Sequence, residues 1–420
     1  MRQQSRRRVP ILIIDVVKVD YSTATIKLVY PDHSTEPFET SWGHGTQAEY
    51  YERYREALIG FKEPQGDSLD QDFATLTRAF QALFEHGKVL FDELFAHKAQ
   101  EVRDYLSKHM MVTAHCKHVR PTTPGVIQVR TENIVDVIPL ECLVISSPKK
   151  PEIRGWPDVL KIASRVLGFS FIINRVATKI ERSKSRKLCL SNVPRLPMKY
   201  FWCESLGGAK AEYEFFKKYE KYLLVDGPWP HEYDESTAEK LVQYLLRPDL
   251  GFGQLEGADT CDRPRDEIHH LSCHVHTDEE NSWKCSLELT GSQEITLKAM
   301  EFCLPDPPPA GQTTSEMPLV FFNGCGTSYW TPQGMTSFPR YFLSKNKNCG
   351  FIGCEVGIPD LFASKFCEQF YLHLLRGFGV GEALFWARRK LLVRYGNALG
   401  VLYTAYVDPY LRVTQAEDSI

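Results

Sequence analysis

Two short apolar runs constrain this chain more than any other part of it: Ile268-His-His-Leu-Ser-Cys-His-Val-His276 and Pro318-Leu-Val-Phe-Phe-Asn-Gly-Cys-Gly326. Each reads as a buried strand that ends abruptly at a side chain able to do chemistry, His274 in the first and Cys325 in the second. In an open parallel sheet, ligands and chemistry gather at the carboxyl ends of neighbouring strands. A His and a Cys that finish two successive strands can therefore meet across one crevice. A thiol nucleophile needs that arrangement, because a nearby imidazole manages its proton.

The rest of the chain fits around such a sheet. Its 420 residues suit a large α/β domain plus an accessory segment. Val126 to Val129 is strand-like, and from Leu196 onward strand and helix signals alternate. Strands are expected over Pro197–Cys203, Glu267–His274, Leu319–Asn323 and Phe351–Gly353. Helices are expected over Ala211–Tyr222, Ser236–Leu246, Ile295–Phe302, Pro359–Leu375 and Gly381–Leu392. This alternation predicts an α/β fold, a mostly parallel sheet with helices on both faces. The first 115 residues read differently. Apolar–polar alternation from Val9 to Glu39, broken by the turn Tyr30-Pro-Asp-His33, predicts a β-hairpin. Phe73, Leu76, Phe80, Leu83 and Phe84 then mark one face of a helix that Gly87 interrupts. We expect a small α+β accessory region over 1–115 and the main domain over 116–415. Pro305 to Ser315 is expected to be a surface loop.

Composition narrows the partners. A formal net charge of −3 gives no pull toward nucleic acid or membrane. The twelve cysteines are scattered without a Cys-x-x-Cys pair, as for reduced thiols in the cytoplasm. The basic, apolar start is cut short by Asp15 and reads as a first strand, not an export signal, and no run is long enough to span a membrane. The basic run Lys179 to Lys187 lacks the interleaved aromatics of a nucleic-acid surface. Arg376-Gly-Phe-Gly-Val-Gly381 joins two helices and reads as a tight turn, not a phosphate loop. His269, His270, Cys273, His274 and His276 are crowded enough to suggest zinc. Strand alternation sends His269 and Cys273 to the opposite face from the other three, however, so no metal or cofactor is expected.

In order and spacing, a longer series of segments resembles the CHAT proteases, cysteine peptidases related to caspases and separase. Ile138-Pro-Leu-Glu141 resembles the family's lead-in, His269 to His274 its His strand, and Phe321-Phe-Asn-Gly-Cys325 its Cys strand. Gly353-Cys-Glu-Val-Gly-Ile-Pro-Asp360 resembles its cleft segment. Phe370-Tyr371, Leu374-Leu-Arg-Gly377, Gly381-Glu-Ala-Leu384 and Ala387-Arg388 resemble its closing helices, and Asn397-Ala-Leu-Gly400 with Tyr406-Val-Asp-Pro409 its final strand. The resemblance implies a caspase-like fold and a cysteine endopeptidase with Cys325 as nucleophile and His274 as base. It implies an oxyanion hole from the backbone N–H groups of Val275 and Cys325. The cleft position that is acidic in separase-like relatives falls on Gly357, so specificity for a basic side chain does not carry over. The nearby acids Glu355, facing the cleft or solvent, and Asp360, which reads first as a cap of the following helix, are the cleft candidates. The resemblance also implies a protein substrate, a separate activator or sensor protein, and a role in bacterial defence, with nucleic acid involved only through a partner. Val275 stands where the family usually has Gly. A backbone donor needs no particular side chain, but a position requiring positive φ strains a β-branched residue. The alternative reading is therefore a binding module of the same fold without chemistry.

Overall fold

The structure, a computed structural model, describes residues 9–43, 72–110, 123–132, 140–146, 152–177, 188–189, 195–232, 235–249, 251–252, 265–278, 282–291, 294–304, 317–325, 327 and 337–414. The chain forms two compact units, Met1–Lys179 with Gly381–Leu402, and Ile180–Val380 with Tyr403–Ile420. The expected loop at 305–315 and the basic run at 179–187 lie outside the described residues.

In the first unit, N-terminal alternation produces antiparallel strands β1 (Leu12–Val19), β2 (Ala24–Val29) and β3 (Phe38–Thr40), with Leu12, Ile14, Ile26 and Leu28 inside. The sheet continues beyond the hairpin. Strand β4 (Gly125–Thr131) pairs parallel with β1, and β5 (Phe171–Ala177) pairs parallel with β4. The division expected after residue 115 thus falls inside this unit, because strands on either side of it share one ladder. Helix α1 (Phe73–Phe95) starts at Asp72, whose carboxylate accepts from Thr75 N at 2.6 Å. The interruption expected at Gly87 does not occur. A Cβ there would lie 2.5 Å from the Cys142 carbonyl oxygen, and Gly87 O accepts from Val144 N at 3.2 Å. Glycine serves close backbone approach at this point, and the helix runs on. Helices α2 (Ala99–His109) and α3 (Trp156–Ala163) follow. Glu141 is buried between Arg175 and Arg388 of the helix Val380–Tyr395, at 2.7 and 3.5 Å. Burial pushes its carboxyl up, but the two guanidiniums outweigh that and hold it below the usual range.

The second unit is built on a mostly parallel sheet. A short pair, β6 (Leu188–Cys189) with β16 (Val413–Thr414), lies apart from it. The main sheet contains β7 (Leu196–Trp202), β8 (Leu223–Trp229), β9 (Ile268–Ser272), β13 (Leu319–Asn323), β14 (Gly350–Cys354) and β15 (Tyr403–Tyr406), in the order β15-β14-β13-β9-β7-β8. Only β15 is antiparallel to its neighbour. Helices cover both faces, as β7 shows: Tyr200 Oη donates to Ala209 O of α4 (Gly207–Lys218) at 2.7 Å. The preceding Lys199 points the other way, donating to Tyr244 O of α5 (Thr237–Leu246) at 3.3 Å and pairing with Asp266 at 3.1 Å. The fold is therefore mixed α/β with helices flanking a mostly parallel sheet, as expected.

The strand expected to run through His274 stops at Ser272. A new strand, β10 (His274–His276), leaves with β11 (Ser286–Glu288) and β12 (Glu294–Thr296) in a small antiparallel sheet. Helices α6 (Leu297–Phe302) and α7 (Asp360–Leu375) also belong to the unit. Gly377, at φ +84°, makes the tight turn read from the glycines around it. Among the described residues no helix is long and apolar enough to cross a membrane.

Candidate active site

Strand register sets the site. β9 and β13 pair in parallel with Ser272 opposite Asn323, and such neighbours lie about 4.8 Å apart. His274 and Cys325 each follow two residues beyond that pair, at the same carboxyl edge. The two exits touch: a Cβ on Gly324 would lie 2.8 Å from Cys273 O and 3.0 Å from Val275 Cγ2. Both His274 and Cys325 are half-buried, and Cys325 Sγ donates to Ile358 O, just ahead of α7, at 3.6 Å. Val275 carries no backbone strain, because Ala96 and Lys347 are the only described non-glycine residues with positive φ. A β-branched residue is therefore compatible with a backbone donor here.

The turn that carries Cys325 is anchored at both ends. Thr327 is fully buried; its hydroxyl donates to Phe322 O at 3.1 Å and accepts from Cys354 N at 2.8 Å. On the other side, Asn323 Nδ2 donates to Glu212 Oε1 and to Ala363 O, the latter at 3.2 Å, while Tyr403 Oη donates to Asn323 Oδ1. Glu212 also meets His270 Nε2 at 2.9 Å, and His270 Nδ1 lies 3.0 Å from Tyr371 Oη. A carboxylate only accepts, so His270 carries a proton on Nε2; in the neutral ring Nδ1 is then the acceptor for the Tyr371 hydroxyl. Burial pushes both phenols well above their ordinary value, which keeps them protonated donors.

Glu212, His270 and Cys367 each bring one ligand-type atom within 4.8 Å of the others, all buried. The carboxylate and imidazole already bond each other and their outer partners, so the donor set is that of a closed hydrogen-bond network. Burial pushes the Cys367 thiol well up, as it does that of Cys273.

Of the two cleft candidates, Glu355 is buried rather than solvent-facing. Asp360 caps a helix, but not its own: the N-cap of α7 is Pro359, and Asp360 Oδ2 accepts from Gly208 N in the first turn of α4 at 2.6 Å. A Cβ on Gly208 would fall 2.6 Å from Asp360 O, so the two helix starts are in contact. Sequence reading missed Glu212, Asn323, Thr327, Tyr371 and Tyr403 as a set. The available signal was Glu212 itself, a carboxylate between Ala209 and Phe216 on the apolar face of α4.

No family model matches the chain, and no curated protein does. Among solved structures, the Saccharomyces cerevisiae separase–securin complex aligns with 96% of this chain at 11% identity and a TM-score of 0.45. This chain spans 30% of the length of that one. A complex of the pro- and mature domains of Porphyromonas gingivalis RgpB aligns over 77% of this chain and 72% of its own, at 9% identity and TM-score 0.41. The Arg-specific cysteine proteinase gingipain R aligns over 76% and 69%, at 9% identity and TM-score 0.42.

Proposed function

We propose that the chain is a cysteine endopeptidase in which Cys325 attacks the substrate carbonyl and His274 handles the proton. One observation carries the reading: β9 and β13 are parallel and in register, and the two candidate residues stand equally far beyond the paired Ser272 and Asn323. The exits of the two strands also meet at Gly324 and the Val275 side chain, which supports a reading in which His274 and Cys325 share one crevice. The order of segments resembling CHAT proteases supports the same assignment.

In the first half-reaction, Cys325 Sγ forms a bond to the scissile carbonyl carbon, with its proton taken by His274. The tetrahedral oxyanion is held by the backbone N–H groups of Val275 and Cys325. Collapse breaks the C–N bond, His274 gives its proton to the leaving amine, and an acyl-enzyme remains. Water, deprotonated by His274, then attacks the thioester and releases Cys325 with its proton restored. We assign a protein as substrate, a separate sensor protein as activator, and bacterial defence as the setting, all from the resemblance.

The test is selective thiol chemistry. Iodoacetamide followed by peptide mapping is expected to modify Cys325 before Cys273 and Cys367, whose thiols burial holds far above neutrality. His274→Ala should slow that modification, and Cys325→Ala should abolish cleavage of the substrate without unfolding the chain. Cys325 reacting no faster than Cys142 or Cys367, with the activator bound, would sink the assignment and leave the binding-module reading.

A further inference from the structure

We propose that Glu212 is a positioning residue that clamps together the two strands carrying the reactive pair; the inference rests on the Cys325–His274 reading. Glu212 comes from α4, far from either residue in sequence, and its carboxylate is 1% exposed. One oxygen accepts from Asn323, two residues before Cys325; the other accepts from His270, four residues before His274. One carboxylate thus fixes β13 and β9 at once, just below the edge where both strands end.

Two hydrogen-bond chains converge on it. Tyr371 Oη donates to His270 Nδ1, and His270 Nε2–H donates to Glu212. Tyr403 Oη donates to Asn323 Oδ1, and Asn323 Nδ2–H donates to Glu212. Ring packing holds one member of each chain. Tyr403 stacks on Phe366 at 3.7 Å and 2°, and His270 stacks on Phe321 at 5.1 Å. Donors and acceptors run in one direction along each chain, and buried networks satisfied in this way rigidify what they join. The residues span α4, β9, β13, α7 and β15, so neither strand end can shift without breaking a buried bond.

Glutamine does not reproduce this carboxylate. It presents one acceptor and one donor to two donors, so both bonds are restored only if Asn323 flips and abandons Ala363 O, or if His270 moves its proton to Nδ1 and reverses its bond with Tyr371. The experiment compares wild type, Glu212→Gln, Tyr403→Phe, His274→Ala and the double variant Glu212→Gln/His274→Ala. Leu245→Ala, on α5 at the opposite face, is the stability control. The reading is the second-order alkylation rate of Cys325 across pH on folded protein, with metal content measured in parallel.

Glu212→Gln should slow alkylation about tenfold or more, since ~1 Å of misplacement can cost on the order of 100-fold. The double variant should be no slower than His274→Ala, because the clamp acts through the pair. Tyr403→Phe, which keeps its ring stack, should fall in the same direction, while Leu245→Ala should lower the melting temperature and leave the rate unchanged. Slowing by His274→Ala without slowing by Glu212→Gln or Tyr403→Phe would overturn the clamp alone. No effect of His274→Ala would remove the reactive pair and the clamp with it. Stoichiometric zinc in wild type that is lost in Glu212→Gln would replace the clamp with a metal centre.

Discussion

Replacing Thr327 with valine tests whether the turn bearing Cys325 is held by a hydroxyl. Valine has nearly the same shape, so the packing of this fully buried side chain is preserved. Its two hydrogen bonds, 3.1 Å to Phe322 O and 2.8 Å from Cys354 N, are lost. A buried backbone N–H left without a partner costs about 1–3 kcal/mol, and the added methyl offsets up to roughly 0.8 kcal/mol. With that cost at its mid-range of about 2 kcal/mol, the net loss should be about 1–2 kcal/mol. With a urea slope of about 3 kcal/mol/M, the unfolding midpoint should fall by roughly 0.3–0.7 M. Thr327→Ser keeps both bonds and loses one methyl, so its drop should stay near or below the low end of that range. Cys325 alkylation should slow in the valine variant and not in the serine variant. A valine variant as stable as wild type would refute the hydrogen-bond argument. One that is less stable but alkylates normally would refute the link between Thr327 and the nucleophile's turn.

Asp266→Ala strands the Lys199 ammonium, fully buried beside it, and should cost about 3–5 kcal/mol by urea unfolding. The loss should shrink as pH rises toward lysine's free value, because the stranded lysine folds most easily when neutral. Gly87→Ala gains roughly 1 kcal/mol in helix propensity, but its Cβ would meet the Cys142 carbonyl oxygen at 2.5 Å, so calorimetry should show net destabilisation. Glu141 has a lowered carboxyl pKa in the folded state. Its contribution is therefore fully present above the unfolded value of about 4.3 and is lost as pH falls below it. Glu141→Gln should flatten that acid limb of stability; an unchanged slope would show that the buried arginines do not govern it.

What local pattern encodes was legible, and what depends on distant chain was not. The strands that end at Ser272 and Asn323 stood out as apolar runs, and the helices Asp360–Leu375 and Val380–Tyr395 followed from their periodicity. Gly87 looked like a break because glycine is a poor helix former; the approach of residues 142–144 that makes glycine necessary is a tertiary fact. Asp360 was legible as a helix cap, but the N–H it caps, that of Gly208, lies 152 residues earlier in the sequence. Strands β5 and β8 were passed over, although Phe171-Ile-Ile-Asn-Arg-Val-Ala177 is a plain apolar run. Thr327 and Tyr403 carried no local signal, because a threonine after a glycine turn and a tyrosine in a strand are ordinary until their partners are known.

The buried polar groups of the second unit explain why the register that sets the site is unique. An apolar strand that slips by two residues keeps its apolar face inward, so hydrophobic burial alone discriminates weakly among such registers. On β13, a two-residue slip would carry Asn323 about 6.6 Å from its place. It would then lose Glu212, Ala363 O and Tyr403 together. On β9, the same slip would strip His270 from Glu212 and Tyr371. On the opposite face of the sheet, moving β7 would separate Lys199 from Asp266. Buried ionic and polar groups of this kind add little net stability but make wrong arrangements costly. In this fold the arrangement they favour is the one that brings the exits of β9 and β13 to the same edge, with Ser272 opposite Asn323.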